Sequence, residues 1–346
     1  MNALVVTDAW LPQTNGVVRT LQTTQRIIRE NGGQLTFVTP NDFKTIPCPT
    51  YPEIRLSLFA GPKMERLIDR CNENAIHIAT EGPLGWAARA VCVRQGIPFT
   101  TAYHTKFPEY VQARSGLPVG VSYALLRRFH NAGQRVMVPA PSMIETLKGW
   151  GFNNPVLWSR GVDLTVFKPA PRSRLTELTG PIFICHGRIA VEKNLEAFLK
   201  LDLPGHKVII GDGPDLPKLR RKYPQVIFTG HLSDTEMVAH LQSADVMVFP
   251  SVTETFGNVV LEALACGLPV AAFPVTGPKD IIGKAPVGVL ASNLKAAALQ
   301  ALELDHKACR KHAEQFTWQN ATQQFVDNLA LFDPAAFPVM KQKKRA

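Results

Sequence analysis

The sequence predicts an α/β protein made of two consecutive units, each with a parallel β-sheet covered by helices. Short apolar runs of strand length alternate with helix-length segments, and the pattern restarts after a proline-containing stretch, residues 166–181. Such alternation is typical of parallel sheets with helices on both faces. The length of 346 residues also exceeds what one hydrophobic core usually organises. We expect one domain over residues 1–165 and a second over residues 170–324, with the tail from about 325 to 346 crossing back to the first.

In the first half, four apolar runs are predicted to be strands. They are residues 3–7, 35–39, 76–79 and 99–103. The intervening helices are predicted at residues 17–29, ended by Gly32 and Gly33, and at residues 84–94, ended by Gly96. Loops that follow the strands are therefore expected at one edge of this sheet.

The second half repeats the pattern with five apolar runs. They are residues 182–185, 208–210, 226–228, 246–249 and 270–273. Two open α/β units in succession are expected to leave a cleft between the carboxyl ends of their sheets, where folds of this kind bind ligands. The chemistry is therefore expected in loops that follow strands.

Composition excludes several classes of protein. A hydrophobic content of 45%, a charged content of 19% and a mean hydropathy of −0.01 describe a chain with a large core rather than a disordered one. No uncharged stretch is long enough to span a bilayer, and the first residues read as a strand instead of a secretory signal. The six cysteines form no C-x-x-C pair and no His/Cys cluster with ligand spacing. We expect a cytoplasmic protein without a structural metal.

Positive charge is concentrated in the first half. Residues 1–165 hold 17 Lys and Arg against 11 Asp and Glu, residues 166–340 hold 17 against 17, and residues 341–345 add four basic side chains. A basic half suggests an anionic partner, either nucleic acid or an anionic membrane leaflet, and solubility alone is the simpler explanation. The chain has no helix-turn-helix, zinc-finger or base-stacking motif, so we do not expect nucleic acid as a partner.

Residues 250–269 carry the strongest local signal for a binding site. A buried strand is followed by a loop, and Asn258 is expected to cap a helix that ends before Gly267. The amides of Gly257, Asn258 and Val259 would then form an anion site at the positive end of the helix dipole. An ordinary capped helix is the alternative interpretation.

Two glutamates in the same segment require a different ligand group. Glu254 and Glu262 are separated by seven residues. Carboxylates repel phosphate, so both are expected to accept hydrogen bonds from hydroxyl groups. A ligand that carries phosphates and sugar hydroxyls satisfies both requirements.

Two further loops contain features suited to a phosphate. Arg188 and Lys193 lie between a buried strand and a helix expected to begin near Asn194, where two cations could neutralise a diphosphate without a metal ion. Gly16 follows the first strand and opens the first helix. This loop has no G-x-G-x-x-G pattern, which disfavours a dinucleotide cofactor.

In combination, these motifs resemble the retaining glycosyltransferases of family four. The resemblance rests on Glu254 and Glu262 with Phe256-Gly257 between them, on Gly187-Arg188 and on Lys193. It implies the GT-B fold, in which two Rossmann-like domains face each other across a cleft. The segments Thr7-Asp8-Ala9-Trp10-Leu11-Pro12 and Tyr103-His104-Thr105-Lys106-Phe107-Pro108 are similar to the mannosyl-, sulfoquinovosyl- and glycosyl-diacylglycerol synthase branch.

The resemblance also implies a role for each site residue. Glu254 would bind hydroxyls of the donor sugar, Glu262 the nucleotide ribose, and Arg188 with Lys193 the diphosphate. Donor contacts are further implied for the backbone of Phe256, Gly257, Asn258 and Val259, for Gly16 at the phosphate, and for Leu232 at the base. His104 would lie beside the donor sugar at the acceptor edge.

The activity so implied is transfer of a hexosyl unit from a nucleotide sugar to a hydroxyl of a membrane lipid such as diacylglycerol, with retention of configuration. We expect a UDP-sugar donor, with a GDP-mannose-dependent α-mannosyltransferase acting on a lipid or oligosaccharide as the alternative. A sugar-nucleotide epimerase and a non-catalytic nucleotide-sugar-binding protein are more remote alternatives. No cofactor besides the donor is expected.

Residues 106–135 are expected to rest on an anionic leaflet and to collect the lipid acceptor. Their apolar members are Phe107, Tyr110, Leu117, Tyr123, Leu125, Leu126 and Phe129, and their basic members are Lys106, Arg114, Arg127, Arg128 and Arg135. The alternative is that the apolar side chains belong to the core. The basic residues 341–345 would be a second membrane contact or a frayed end. The expected location is the cytoplasmic face of the inner membrane, as a peripheral protein.

Overall fold

The computed structural model describes residues 1–13, 15–48 and 54–337, and it divides the chain into two compact units. Unit 1 consists of Met1–Ser159 and the chain from Trp318 on, and unit 2 of Arg160–Thr317. The sequence had placed these divisions near residues 165–170 and 324. The units are described separately below.

Unit 1 contains a six-stranded parallel sheet and a small antiparallel hairpin. Its elements are β1 (Asn2–Val6), α1 (Gly16–Glu30), β2 (Gln34–Val38), β3 (Thr45–Pro47), β4 (Arg55–Ser57), α2 (Ala60–Asp69), β5 (Ile76–Ile78), α3 (Pro83–Gln95), β6 (Thr100–Ala102), α4 (Phe107–Ser115), α5 (Val119–His130), β7 (Arg135–Val138), α6 (Pro141–Gly149) and β8 (Pro155–Leu157). The strand order in the sheet is β2-β1-β5-β6-β7-β8, and β3 pairs with β4.

Unit 2 contains a second six-stranded parallel sheet. Its elements are β9 (Ile182–His186), α7 (Leu195–Leu199), β10 (His206–Ile210), α8 (Leu216–Lys222), β11 (Ile227–Gly230), α9 (Asp234–Leu241), β12 (Val246–Phe249), α10 (Asn258–Ala265), β13 (Val270–Ala272), α11 (Pro278–Ile282), β14 (Gly288–Leu290), α12 (Leu294–Ala301) and α13 (His306–Ala313). The strand order is β11-β10-β9-β12-β13-β14. The chain then returns to unit 1 as α14 (Trp318–Asn328).

The central strands of both sheets are buried on both faces, as is typical of parallel sheets. In β1, Leu4 and Val6 belong to one buried cluster, and Ala3 and Val5 to another on the opposite face. The second cluster includes Phe325 of α14, so the returning helix completes the core of unit 1. This packing explains why the chain from Trp318 on belongs to the first unit.

Each sheet reverses its strand order at one point, and such points are where open α/β sheets bind ligands. In unit 1 the reversal lies between β1 and β5, and in unit 2 between β9 and β12. The loops that follow these four strands hold most of the polar side chains discussed below.

Candidate functional site

At the reversal point of unit 2, the loops after β9 and β12 are joined by two side-chain contacts. Asn194 Nδ2 donates a hydrogen bond to the carbonyl of Pro250 over 3.1 Å. Lys193 Nζ lies 2.8 Å from Glu254 Oε2, and these side chains are only 25% and 12% exposed. The structure therefore brings together a cation and a carboxylate that the sequence had predicted for one ligand.

The Glu254 carboxylate is held in its charged form. Burial opposes its ionisation, but the charge of Lys193, the hydrogen bond from Lys193 and the amides of Thr255 and Phe256 together keep the pKa of Glu254 below its usual value. The Thr255 amide donates to Glu254 Oε1 over 3.0 Å. Glu254 is thus a fixed hydrogen-bond acceptor at neutral pH.

The helix that follows this loop begins one residue earlier than predicted. Gly257, in the left-handed conformation at φ 89°, is the N-cap of α10, and no side chain caps the helix. The prediction that Asn258 is the cap was wrong: Asn258 is the first helical residue. Asn258 and Val259 are partly exposed, whereas α10 is buried from Val260 onward. The first turn of α10 therefore presents uncapped amides at its accessible end, the arrangement that binds anions.

Behind this turn, Glu262 forms a buried pair with a histidine that the sequence analysis did not identify. His186 Nε2 lies 3.6 Å from Glu262 Oε2 and 3.3 Å from the carbonyl oxygen of Val259. The side chains of His186 and Glu262 are 3% and 10% exposed. A histidine that ends an otherwise apolar strand directly before Gly187 is the signal that could have identified it.

Arg188 and Leu232 lie at the same edge of the unit 2 sheet. Arg188 is exposed on the loop that also carries Lys193, and Leu232 is half-buried after β11. These loops are packed tightly through glycine: a Cβ on Gly211, whose φ is 136°, would lie 2.0 Å from the carbonyl oxygen of Gly187. The glycines of this edge thus allow neighbouring loops to approach one another.

The two candidate residues of unit 1 also follow strands of one sheet. Gly16 is the first residue of α1, and Asn15 caps that helix by accepting hydrogen bonds from the amides of Val17 and Val18. His104 follows β6, with its ring 5.5 Å from that of Trp158. Both lie at the carboxyl edge of the sheet, because β1 and β6 are parallel strands on either side of β5.

The predicted membrane-facing segment is partly core. Tyr123, Leu126 and Phe129 are buried, so their assignment to a surface was wrong. The apolar residues Phe107, Leu117, Val121 and Leu125 are more than one third exposed, and Arg127 and Arg128 are exposed beside them in sequence. We call these six residues the apolar-basic patch. On α5, Val121, Leu125 and Arg128 share one face because they are spaced four and three residues apart.

The described residues contain neither a candidate membrane-spanning helix nor a candidate metal-binding cluster. None of the helices there is long and apolar enough to cross a membrane. No group of three or more His, Cys, Asp or Glu side chains in the same residues is arranged to hold a metal ion. The basic residues 341–345 lie outside the described part of the chain.

Comparison with known proteins identifies the family. The model described as "Glycosyltransferase Family 4" matches residues 14–166, and the model "Glycosyl transferases group 1" matches residues 180–304. The sulfoquinovosyl transferase of Arabidopsis thaliana is 33% identical, over 92% of this chain and 71% of its own. A GDP-mannose-dependent α-mannosyltransferase of Mycobacterium tuberculosis is 28% identical, over 83% and 82% of the two chains. The α-monoglucosyldiacylglycerol synthase of Streptococcus pneumoniae is 26% identical, over 86% and 77%.

Solved structures are similar over nearly the whole chain. Sucrose-phosphate synthase from Thermosynechococcus elongatus has a TM-score of 0.73 at 20% identity, covering 94% of this chain and 97% of its own. Anabaena HepE, solved in complex with UDP-glucose, has a TM-score of 0.71 at 14% identity, covering 94% and 98%. These likenesses confirm the predicted α/β fold class, GT-B. Together with the family models and the Arabidopsis relative, they lead to one conclusion: the chain belongs to glycosyltransferase family 4.

Proposed function

We propose that the protein transfers a hexosyl unit from a nucleotide sugar, in the first place a UDP-sugar, to a hydroxyl group of a membrane lipid such as diacylglycerol, with retention of configuration. The observation that carries this proposal is the Lys193–Glu254 pair beside the uncapped start of α10. A cation and helix amides suit a diphosphate, and a carboxylate held in its charged form suits sugar hydroxyls. A nucleotide sugar presents both groups within one molecule.

Each remaining donor contact then has a candidate residue. Arg188 and Lys193 neutralise the diphosphate, and Glu254 orients the sugar. Glu262, fixed by His186, accepts a hydrogen bond from the ribose. We assign Gly16 to a phosphate, the backbone at Leu232 to the base and His104 to the sugar.

The proposed mechanism needs no covalent intermediate. The departing diphosphate oxygen accepts the proton of the acceptor hydroxyl while the new glycosidic bond forms on the same face of the sugar. Positive charge from Arg188, Lys193 and the first amides of α10 stabilises the negative charge that develops on the diphosphate. Catalysis then depends on positioning and on fixed charges.

A lipid acceptor is supported by the apolar-basic patch and by the relatives. Exposed apolar side chains beside arginines on one helix fit the interface of an anionic leaflet. One relative is named as a diacylglycerol glycolipid synthase. We therefore propose peripheral association with the cytoplasmic face of the inner membrane.

A GDP-mannose donor is the second candidate. Its support is that three bacterial relatives named as GDP-mannose-dependent α-mannosyltransferases are 28–29% identical over 83–84% of this chain. The rest of the proposed mechanism is the same for this donor, because recognition of the base is assigned to the backbone.

Thermal denaturation with UDP, GDP or ADP, each with and without Mg²⁺, tests the donor proposal. A ligand that binds only the native state at a hundredfold over its Kd adds about 2.7 kcal/mol to the free energy of unfolding. We expect a metal-independent rise in Tm that is selective for UDP, and a rise selective for GDP would favour the mannosyl donor. No rise with any of the three nucleotides would contradict the proposal.

A further inference from the structure

The reversal point of unit 1 holds a glutamate that none of the preceding roles uses. Glu81 lies between β5 and α3, at the carboxyl edge of the sheet and next to the loop that follows β1. Its side chain is 21% exposed. This position corresponds, within unit 1, to the edge at which open α/β sheets bind ligands.

The loop that carries Glu81 is fixed to β1 by a buried carboxylate. Asp8 accepts hydrogen bonds from Thr80 Oγ1 over 2.9 Å, from the Leu84 amide over 2.9 Å and from the Gly85 amide over 3.3 Å. Asp8 thereby caps the first turn of α3 from the loop that follows β1, in place of a local N-cap side chain. A Cβ on Gly82 would lie 2.4 Å from the Asp8 carboxyl carbon, so the loop closes directly over this group.

A buried histidine fixes Glu81 from the other side. His130 Nε2 lies 3.1 Å from Glu81 Oε1, and His130 Nδ1 lies 2.8 Å from Thr101 Oγ1. The His130 side chain is fully buried. With the proton on Nε2, His130 donates to Glu81 and its Nδ1 accepts from the Thr101 hydroxyl. One carboxylate oxygen is thus held in place.

The second carboxylate oxygen is available to a ligand. Within the described residues no donor is found for Glu81 Oε2, and the carboxylate remains partly exposed. A carboxylate oxygen fixed in this way accepts a hydrogen bond from a hydroxyl and repels phosphate. A group that carries a hydroxyl and no negative charge therefore suits this oxygen, whereas a phosphate does not.

We propose that Glu81 binds a hydroxyl group of a neutral acceptor headgroup, with Asp8 and His130 as its positioning residues. This inference rests on the proposed transferase function. It adds a specific acceptor contact to unit 1 and a preference for uncharged, glycerol-like headgroups over phosphorylated ones.

Two substitutions at Glu81 distinguish a loss of the acceptor contact from a loss of the folded structure. Glu81→Gln keeps an oxygen for His130 but presents an amide donor in place of the free carboxylate oxygen, and Glu81→Ala removes both. The matched control is Glu65→Gln. Glu65 lies on α2, where its side chain is exposed and pairs with Arg94. Thermal denaturation establishes whether each variant is folded. If Glu81→Ala does not fold, the acceptor affinity of Glu81→Gln alone tests the proposal.

The first measurement is binding of soluble dihexanoylglycerol in the presence of UDP, and the second is transfer to vesicles of diacylglycerol and phosphatidylglycerol. We expect Glu81→Gln to raise the Kd for dihexanoylglycerol and the KM for diacylglycerol about tenfold or more, with UDP affinity unchanged. Acceptor affinity equal to wild type in Glu81→Gln would overturn the assignment of Glu81. The rise in Tm of the wild type with nucleotides tests the proposed transferase function separately. A failure of the Glu81 assignment can therefore be distinguished from a failure of the proposed function.

Discussion

The Lys193 ammonium and the Glu254 carboxylate lie 2.8 Å apart in the loops that follow two adjacent strands, β9 and β12, and both side chains are largely shielded from solvent. A pair in this position is more than a stabilising contact, because each member also suits a different part of one ligand. In the proposed donor complex, a diphosphate would compete with Glu254 for Lys193, and a sugar hydroxyl would replace the hydrogen bond that Glu254 loses. The pair therefore predicts separable effects on nucleotide and sugar binding.

We expect Lys193→Gln to weaken the binding of UDP and of UDP-sugar together, since the proposal assigns the lost charge to the diphosphate that both ligands carry. Glu254→Gln should leave UDP affinity within about threefold and abolish the additional affinity for the sugar-bearing donor, because the proposal assigns the Glu254 carboxylate to the sugar alone. Isothermal titration calorimetry with UDP and with UDP-glucose measures the affinity of each variant for the two ligands. Equal losses for both ligands in Glu254→Gln would contradict the division of roles.

Stability should depend on pH through Glu254. Its pKa is lowered in the folded state, so its stabilising contribution is fully present above the ordinary glutamate pKa and is lost as the pH falls through the lower folded value. The difference in unfolding free energy between wild type and Glu254→Gln should therefore shrink as the pH falls below the ordinary glutamate pKa of about 4.3. Urea unfolding of both proteins at pH 7, 5, 4 and 3 measures this difference in unfolding free energy. A constant difference across this range would show that the charge of Glu254 makes no contribution.

Arg188→Ala should nearly abolish transfer. Loss of one fixed electrostatic donor to a developing charge reduces kcat by about a hundredfold to a thousandfold. Steady-state kinetics with saturating donor measure the effect. Arg26→Ala is the matched control, because Arg26 is exposed on α1 and pairs with Glu30, four residues away on the same helix. Near-normal turnover in Arg188→Ala would remove this residue from the mechanism.

The apolar-basic patch should govern attachment to membranes. Val121→Ser/Leu125→Ser removes two exposed aliphatic side chains from one face of α5, and each is worth about 1.5 kcal/mol or more when buried in lipid. We expect at least tenfold weaker binding to phosphatidylglycerol vesicles in a sedimentation assay. Ile46→Ser/Leu331→Ser, which alters two exposed aliphatic residues elsewhere in unit 1, should bind as the wild type does. Equal weakening in both double variants would contradict a specific surface.

The longer strands could be predicted because each is a buried, apolar run between turn residues. The prediction omitted β3, β4, β7, β8 and β14, and all of these except β7 have only three residues. β8 also begins at Pro155, which is more typical of a strand end or a loop. Short strands of this kind are stabilised by pairing with a neighbouring strand, and the local sequence does not indicate that pairing.

The sequence predicted those site residues whose residue type and local motif indicate their chemistry. The sequence placed Lys193 and Glu254 at the ends of strands, but their contact depends on β9 and β12 being neighbours, although more than 50 residues separate them. Asn258 was assigned as the cap because asparagine favours that position, whereas Gly257 takes it by adopting a positive φ. His186 and Glu81 were missed because their significance lies in tertiary partners rather than in local motifs.

The most direct test of the proposed activity is the identity of the lipid product. The purified protein would be incubated with diacylglycerol and phosphatidylglycerol vesicles and with UDP-glucose or GDP-mannose, and the product analysed by NMR. The account predicts a hexosyl-diacylglycerol with the α configuration of the donor, formed from one of these donors without added metal. A β-linked product, or the absence of any glycolipid with both donors, would contradict it.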